Sequence, residues 1–177
     1  MIAQETTSAM HQPVCFDVVG QAVPWSRAGR KGGFSYTPPQ VRHYQNGVKD
    51  AAVAAMAGRN PLLCPLDLFL EFFLEVPRSW PQWRQQAALS GHVRPAGKPD
   101  LDNLIKVIKD ACNSIVYRDD SQIVEIRARK RYGSKPSVVV IVGPTAGLIT
   151  SAADWRQRLE IPALEPTRAD LFAGGAA

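Results

Sequence analysis

Four aspartates in two pairs are the residues of this sequence best suited to chemistry. Asp100 and Asp102 stand at the start of a segment with helical periodicity, and Asp119 and Asp120 directly precede a strand-like segment. Carboxylates held close together repel one another unless a cation neutralises them, and Mg²⁺ prefers carboxylate oxygens together with water and substrate phosphate. The three histidines and three cysteines are scattered and offer no softer metal site. The two pairs therefore suggest a Mg²⁺ site.

Each aspartate pair also has a purely structural interpretation. Asp100 and Asp102 lie where acidic side chains stabilise the first turn of a helix, by about 1 kcal/mol each. Asp119 and Asp120 are typical of a turn ahead of a strand. Lys106, one helical turn after Asp102, could pair with that carboxylate or offer its charge to a phosphoryl oxygen in a transition state. Spacing alone leaves the structural and the metal-binding interpretations open.

Positive charge is concentrated in the body of the chain. The formal net charge is +5, and between residues 27 and 59 Asp50 is the only acid. The cations in that interval are Arg27, Arg30, Lys31, Arg42, Lys49 and Arg59. This distribution suits a nucleic-acid-binding protein, and the alternative is a solvated surface that keeps the protein soluble. The Gly- and Arg-rich stretch 24–33 is predicted to be a mobile loop, either a plain connection or a basic flap over a phosphate backbone.

Hydrophobic periodicity predicts four strands and two helices in the body of the chain. The strands are expected over 14–19, 66–76, 123–130 and 138–142, and the last two are expected to form a hairpin. One helix should begin at Pro38 with Thr37 as its cap. The stronger helix should cover 100–115, with one flank formed by Asp102, Lys106, Lys109 and Asn113. Trp80 and Trp83 could stack on bases or pack beneath a loop.

The composition indicates one globular domain with two extensions. The chain has 177 residues, of which 45% are hydrophobic and 21% charged, a composition typical of a folded globular protein and not of a disordered chain. We expect a flexible N-terminus over 1–13, a domain over 14–143 and a partly helical or disordered extension over 144–177, with a short helix over 151–159. The N-terminus lacks the cationic start of a signal peptide, no apolar run is of membrane length, and unpaired cysteines suit a reducing cytoplasm.

Several segments, taken in order, resemble the RusA family of Holliday junction resolvases. The central segments are 98–104 (KPDLDNL), followed by Lys106 and Asp110, and 117–123 (YRDDSQI). The flanking segments are 24–27 (PWSR), 36–38 (YTP) and 130–133 (KRYG). The resemblance covers roughly residues 14 to 142, and the ordered combination is far more specific than any one segment.

The resemblance implies a homodimeric, Mg²⁺-dependent endonuclease of α/β (α+β) fold, with helices packed on a small mixed sheet of about four strands. It maps the catalytic acids, which would also hold the metal, onto Asp100, Asp102 and Asp120, and the essential lysine onto Lys106. Asp119 is assigned a supporting role at the metal. Mn²⁺ is expected as a substitute ion.

The functional hypothesis is resolution of Holliday junctions by paired hydrolysis of phosphodiester bonds, in DNA recombination and repair. The phosphates would be held by Arg27, Arg30, Lys31, Arg94 and Lys98. By family analogy, the setting is the cytoplasm and nucleoid of a bacterium, or a phage or prophage. One alternative is a non-catalytic branched-DNA-binding module whose aspartates only cap and turn. Another, a sugar-nucleotide transferase, needs a Gly-rich phosphate loop after a strand, and the sequence shows none.

The C-terminal extension contains a possible docking peptide. Residues 168–172 resemble the short peptides by which bacterial replication proteins bind the sliding clamp, with Asp170, Leu171 and Phe172 as the contact residues. Such peptides usually begin with Gln, where this chain has Arg168. The alternative is a disordered end that happens to carry two apolar residues.

Overall fold

Six strands and three helices are formed by the residues that the computed structural model describes, which are 12–26, 29–31 and 34–145. The strands are β1 (Val14–Val19), β2 (Gly29–Lys31), β3 (Phe34–Tyr36), β4 (Leu66–Glu75), β5 (Ile123–Gly133) and β6 (Ser137–Pro144). The helices are α1 (Pro39–Met56), α2 (Gln82–Leu89) and α3 (Leu101–Cys112). The predicted helix over 151–159 and the clamp-binding peptide lie outside the described residues. None of these three helices combines the length and the apolar character needed to cross a membrane.

Four of the strands form one mixed sheet in the order β1-β6-β4-β5. β4 runs parallel to β5 and antiparallel to β6, which in turn pairs antiparallel with β1. This mixed sheet with its helices confirms the predicted α+β class. The predicted hairpin of the last two strands is wrong, because β4 lies between β5 and β6. The turn over 134–136 therefore carries the chain across the end of β4, and the long strand β4 has its backbone groups paired on both sides.

The alternation of side chains along β4 determines which face of the sheet holds the core. Leu66, Leu68, Leu70, Phe72 and Leu74 are buried on one face. The buried stripes of α1 and α3 join all of these except Leu74 in a single core cluster, which includes Val41, Val48, Ala52, Leu104, Ile108 and Ala111. α1 and α3 also contact each other, so that two helices cover the leucine face. This packing holds α3, with its polar flank outward, on the sheet.

The opposite face of β4 is polar and aromatic. Glu71 lies there with only 13% of its side chain exposed, and its carboxylate accepts contacts from Arg129 Nε at 2.8 Å and Arg131 Nε at 2.9 Å. Phe69 and Phe73, on either side of Glu71 along this face, are partly exposed. Two β5 arginines therefore share one acid of β4, which links the parallel strands through side chains as well as backbone.

Local deviations from the predicted elements have identifiable causes. α1 begins at Pro39 rather than Pro38, and Pro38 is in extended conformation with ψ 140°. A residue before proline is sterically excluded from the helical region, so the Pro-Pro pair moves the start by one residue. The stretch 24–33, predicted to be a loop, contains the short strand β2, which pairs antiparallel with β3 immediately after it. Helix α2 was not predicted, because its eight residues bury only Ala88 and carry little apolar periodicity.

Candidate active site

Asp100 immediately precedes α3, but its side chain does not cap the helix. Its backbone is extended (φ −71°, ψ 140°), and its carbonyl oxygen accepts from Leu104 N at 3.2 Å. The carboxylate makes no capping hydrogen bond, and both Asp100 and Asp102 are exposed. Among the described residues the structure gives neither carboxylate an ion-pair partner. The capping interpretation therefore does not account for the Asp100 side chain, which is available to a ligand.

The segment that carries Asp100 is held in place by β5. The Lys130 ammonium donates to the carbonyl oxygens of Gly97, at 2.6 Å, and Pro99, at 2.8 Å. Because Lys130 lies on a strand of the main sheet, these hydrogen bonds fix the loop just before α3. Lys130 is thus a supporting residue of the candidate site. The role of Lys130 was not predicted, because its partner Pro99 lies 31 residues away in the sequence and the spacing of neighbouring residues does not reveal such a contact.

Lys106 is directed toward an aromatic ring and not toward a carboxylate. Its Nζ lies 3.8 Å from the ring centroid of Trp25. The backbone N–H of Trp25 donates to the Asn103 carbonyl at 2.9 Å, one helical turn before Lys106. The predicted structural alternative, a Lys106–Asp102 ion pair, is therefore not found among the described contacts.

Asp119 shapes the turn ahead of β5. Its Oδ1 accepts from Ser121 N at 2.9 Å, its own N–H donates to Gln122 Oε1 at 2.9 Å, and a short 3₁₀ turn follows over Asp120–Gln122. The hydrogen bonds from Ser121 lower the pKa of the Asp119 carboxyl. The Gln122 amide also donates to the Leu62 carbonyl at 2.9 Å, which ties the turn to the loop before β4. Asp119 therefore has the structural role that the turn interpretation gives it.

Asp120 is brought to the flank of α3. Its Oδ2 lies 3.0 Å from Lys109 Nζ, and 40% of its side chain is exposed. Tyr117, which is fully buried, donates from its hydroxyl to the Lys109 carbonyl at 2.9 Å and so fastens the segment before Asp120 to the last turn of the helix. Burial raises the pKa of Tyr117, so this hydroxyl keeps its proton.

The charges on this flank of α3 influence one another. Burial raises the pKa of the Asp110 carboxyl, the Lys106 and Lys109 charges oppose this rise, and the Asp120 charge adds to it. Two lysines and two carboxylates therefore form one interacting group, with Lys106 and Asp120 both in it. The sequence placed Lys109 on the predicted flank, but its pairing with Asp120 depends on the tertiary fold.

The three acids predicted to hold a metal ion do not form a closed ligand group in this structure. Within the described parts of the chain, no three His, Cys, Asp or Glu side chains are grouped closely enough to hold an ion. Asp102 and Lys109 are seven residues apart on α3, about 10 Å along the axis, so Asp120 lies toward the far end of the helix from Asp100. Carboxylate oxygens are the kind of ligand that Mg²⁺ takes in proteins, so the chemistry of these three side chains fits the ion. In this structure the Asp120 carboxylate has the Lys109 ammonium as its counter-ion.

The residues predicted to bind DNA differ in how well the structure describes them. Lys98 lines a cleft of about 470 Å³ beside Asp100, together with Trp25 and Asn103. Arg94 is exposed, and its Nε donates to the Gly91 carbonyl at 3.1 Å. Arg30 and Lys31 lie on β2, while Arg27 lies outside the described residues. Lys98 therefore lies next to the candidate site.

Comparison with known proteins places the chain in a family. A family model described as Endodeoxyribonuclease RusA matches residues 17–143. Over 80 residues the chain is 35% identical to the uncharacterized protein YqaN of Bacillus subtilis (strain 168), covering 44% of this chain and 56% of that protein. Over 69 residues it is 36% identical to the crossover junction endodeoxyribonuclease rusA of Lactococcus phage r1t, covering 37% of this chain and 44% of the phage protein.

These alignments span about half the length of the two relatives. The family model, in contrast, takes in most of the chain: it includes α3, the turn with Asp120 and the main sheet apart from the ends of β1 and β6. The chain belongs to the RusA endodeoxyribonuclease family.

Proposed function

We propose that the chain is a Mg²⁺-dependent endodeoxyribonuclease that resolves four-way DNA junctions, and that it acts in DNA recombination and repair. The observation that carries the proposal is the placement of Asp120, which the Lys109 contact holds on the flank of α3 that bears Lys106 and Asp102. Membership in the RusA family supports the same activity. A phage relative with this activity in its name supports a bacterial, phage or prophage setting.

The mechanism assigns a task to each residue of the candidate site. Asp100, Asp102 and Asp120 would hold the ion, with Asp119 in support, and Mn²⁺ is an expected substitute. When bound, Mg²⁺ supplies Lewis-acid chemistry that lowers the pKa of a coordinated water and neutralises charge on the scissile phosphate. Lys106, exposed on α3, would contact a phosphoryl oxygen and stabilise the negative charge that develops during hydrolysis. The exposure of these side chains lets a DNA backbone approach them.

A homodimer would match the symmetry of the substrate. A four-way junction has approximate two-fold symmetry, and a C₂ dimer would present two copies of the site to two equivalent strands. Paired nicks would then separate the junction into two duplexes. A non-catalytic DNA-binding module is the rival. It leaves the Asp100 side chain without a role, because this carboxylate does not cap α3, and an exposed acid without a counter-ion repels DNA.

The deciding experiment compares a synthetic four-way junction with linear duplex and flap substrates, each with and without Mg²⁺. We expect symmetric paired nicks in the junction only when Mg²⁺ is present, and little cutting of the duplex. Junction binding without any cleavage in Mg²⁺ or Mn²⁺ would favour the binding module. Sedimentation of the protein with junction DNA measures the subunit number, and a single subunit per junction would contradict the dimer.

Binding to the junction should weaken steeply with salt. The proposed phosphate contacts are Arg27, Arg30, Lys31, Arg94 and Lys98. Each contact to duplex phosphate contributes about 0.9 to the slope of log affinity against log salt concentration. Lys98→Gln should therefore lower this slope by about one, as measured by fluorescence anisotropy in Mg²⁺-free buffer. Lys49→Gln is the control, since Lys49 is exposed on α1 and belongs to no proposed contact. An unchanged slope in Lys98→Gln would remove Lys98 from the interface.

A further inference from the structure

We propose that Trp25 is a positioning residue for Lys106, and that it holds the lysine ammonium by a cation–π contact. The inference rests on the proposed nuclease function, in which Lys106 acts on the phosphate. The Nζ lies 3.8 Å from the indole centroid, well inside the distance of about 6 Å at which such contacts are effective. Tryptophan presents the most favourable aromatic face for a cation.

The indole is fixed independently of the lysine. Trp25 is partly buried and packs against the core cluster. Its backbone N–H donates to the Asn103 carbonyl at 2.9 Å, and Gly20, after the end of β1, donates to the Pro136 carbonyl at 2.8 Å. Between these two points Ala22 is buried, with 3% exposure. The segment from β1 to Trp25 is therefore anchored to the turn before β6 and to α3, and the indole packs on the core without needing the lysine contact.

The contact also leaves both Lys106 and Asp102 without an ion-pair partner among the described residues. A carboxylate partner would occupy the lysine ammonium and offset its charge, and Asp102 stands one turn away at the right spacing for such a pair. The ammonium lies instead on the ring face, which attracts a cation without carrying a formal negative charge. The Lys106 ammonium is therefore available to a phosphoryl oxygen, and Asp102 is available to a metal ion.

The first test replaces the ring while keeping apolar bulk. Trp25→Leu should slow junction cleavage by about tenfold under saturating substrate, with junction affinity within twofold of wild type, because the cation–π contact is lost. Trp25→Phe keeps an aromatic face and should recover most of the rate. In a Lys106→Ala background, Trp25→Leu should cause no further loss. An equal further loss in that background, or a Phe variant as slow as Leu, would overturn the proposal.

The second test observes the contact directly and does not depend on nuclease activity. Protons of the Lys106 ε-methylene, next to the ammonium over the indole face, should be shifted upfield by the ring current in ¹H–¹³C spectra of the wild-type protein. Assignment comes from the signal that disappears in Lys106→Arg. If the ε-methylene protons of Lys106 in the wild-type protein have the chemical shift of an ordinary exposed lysine, the proposal is overturned even if junctions are cleaved. An upfield shift in a protein that cleaves no junction would uphold the contact and contradict the proposed function instead.

Discussion

Asp120→Asn is expected to abolish junction cleavage while leaving junction binding intact. The amide keeps the size of the side chain but removes the charge that a metal ligand supplies, and loss of one such electrostatic contribution costs about 100-fold or more in rate. Binding should be equal or tighter, because one negative charge near the DNA is gone. Cleavage rates under single-turnover conditions and gel-shift affinities in Mg²⁺-free buffer measure the two effects separately.

Asp119→Asn is the matched control for this experiment. The two aspartates are adjacent, but the Asp119 carboxylate is committed to Ser121 N in the turn, and an asparagine oxygen can accept the same hydrogen bond. We expect a much smaller loss of cleavage. Stability is a poor explanation for inactivity of Asp120→Asn, because the broken Lys109 pair is partly exposed and such pairs contribute about 0–1 kcal/mol. Wild-type cleavage by Asp120→Asn would remove Asp120 from the site.

Among the variants proposed, Phe72→Ala is expected to cause the largest decrease in the free energy of unfolding. Phe72 has no exposed surface and lies on the leucine face of β4, beneath α1 and α3. Removing a fully buried phenyl group loses its transfer free energy and leaves a cavity, which together cost about 3–5 kcal/mol. A domain with a total free energy of unfolding of about 5–15 kcal/mol is strongly affected by such a loss. Urea denaturation of the full chain measures the change in midpoint at constant slope.

The neighbouring residue provides a control of identical chemistry. Phe73 follows Phe72 in β4 but points to the opposite, partly exposed face. Phe73→Ala should cost less than half as much free energy of unfolding, since part of the ring is already in water. Equal losses for the two variants would contradict the assignment of the core to one face of the sheet.

The elements predicted best are those with local patterns. β1 has the predicted bounds, and the alternation over β4 gives the correct buried face. α3 was predicted from the spacing of its apolar residues, which do form its buried stripe. In each case the periodicity of the side chains reports directly on the face that the backbone geometry turns inward.

Features that depend on distant residues were not predictable in the same way. The periodicity of β5 and β6 identifies both as strands, but nothing in it reveals that β4 lies between them. α2 is too short and too exposed to leave a pattern. Strand order depends on which partners satisfy the backbone groups of β4, and this is decided only when the whole sheet assembles.

The candidate site also combines features that local spacing predicts with contacts that depend on distant residues. The spacing of Asp102 and Lys106 along α3 follows from the sequence, whereas the contacts of Lys106 with Trp25 and of Asp120 with Lys109 are made by the fold. The lysine was expected to pair with a carboxylate or to act on phosphate, and an indole partner was not foreseen. The binding of Mg²⁺ by Asp100, Asp102 and Asp120 stays a prediction.

The position of β5 at the end of the sheet has a consequence for self-association. Among the residues that the structure describes, β5 pairs with β4 only, and no described strand pairs with its other side. Its first residues are apolar, and Val124 is 61% exposed, a combination that invites other strands to add. The residues that follow include Arg127, which is exposed and paired with Glu125. Charged side chains on an edge strand disfavour the addition of another strand, because their hydration would be lost. We therefore expect the charged half of β5 to oppose edge-to-edge aggregation.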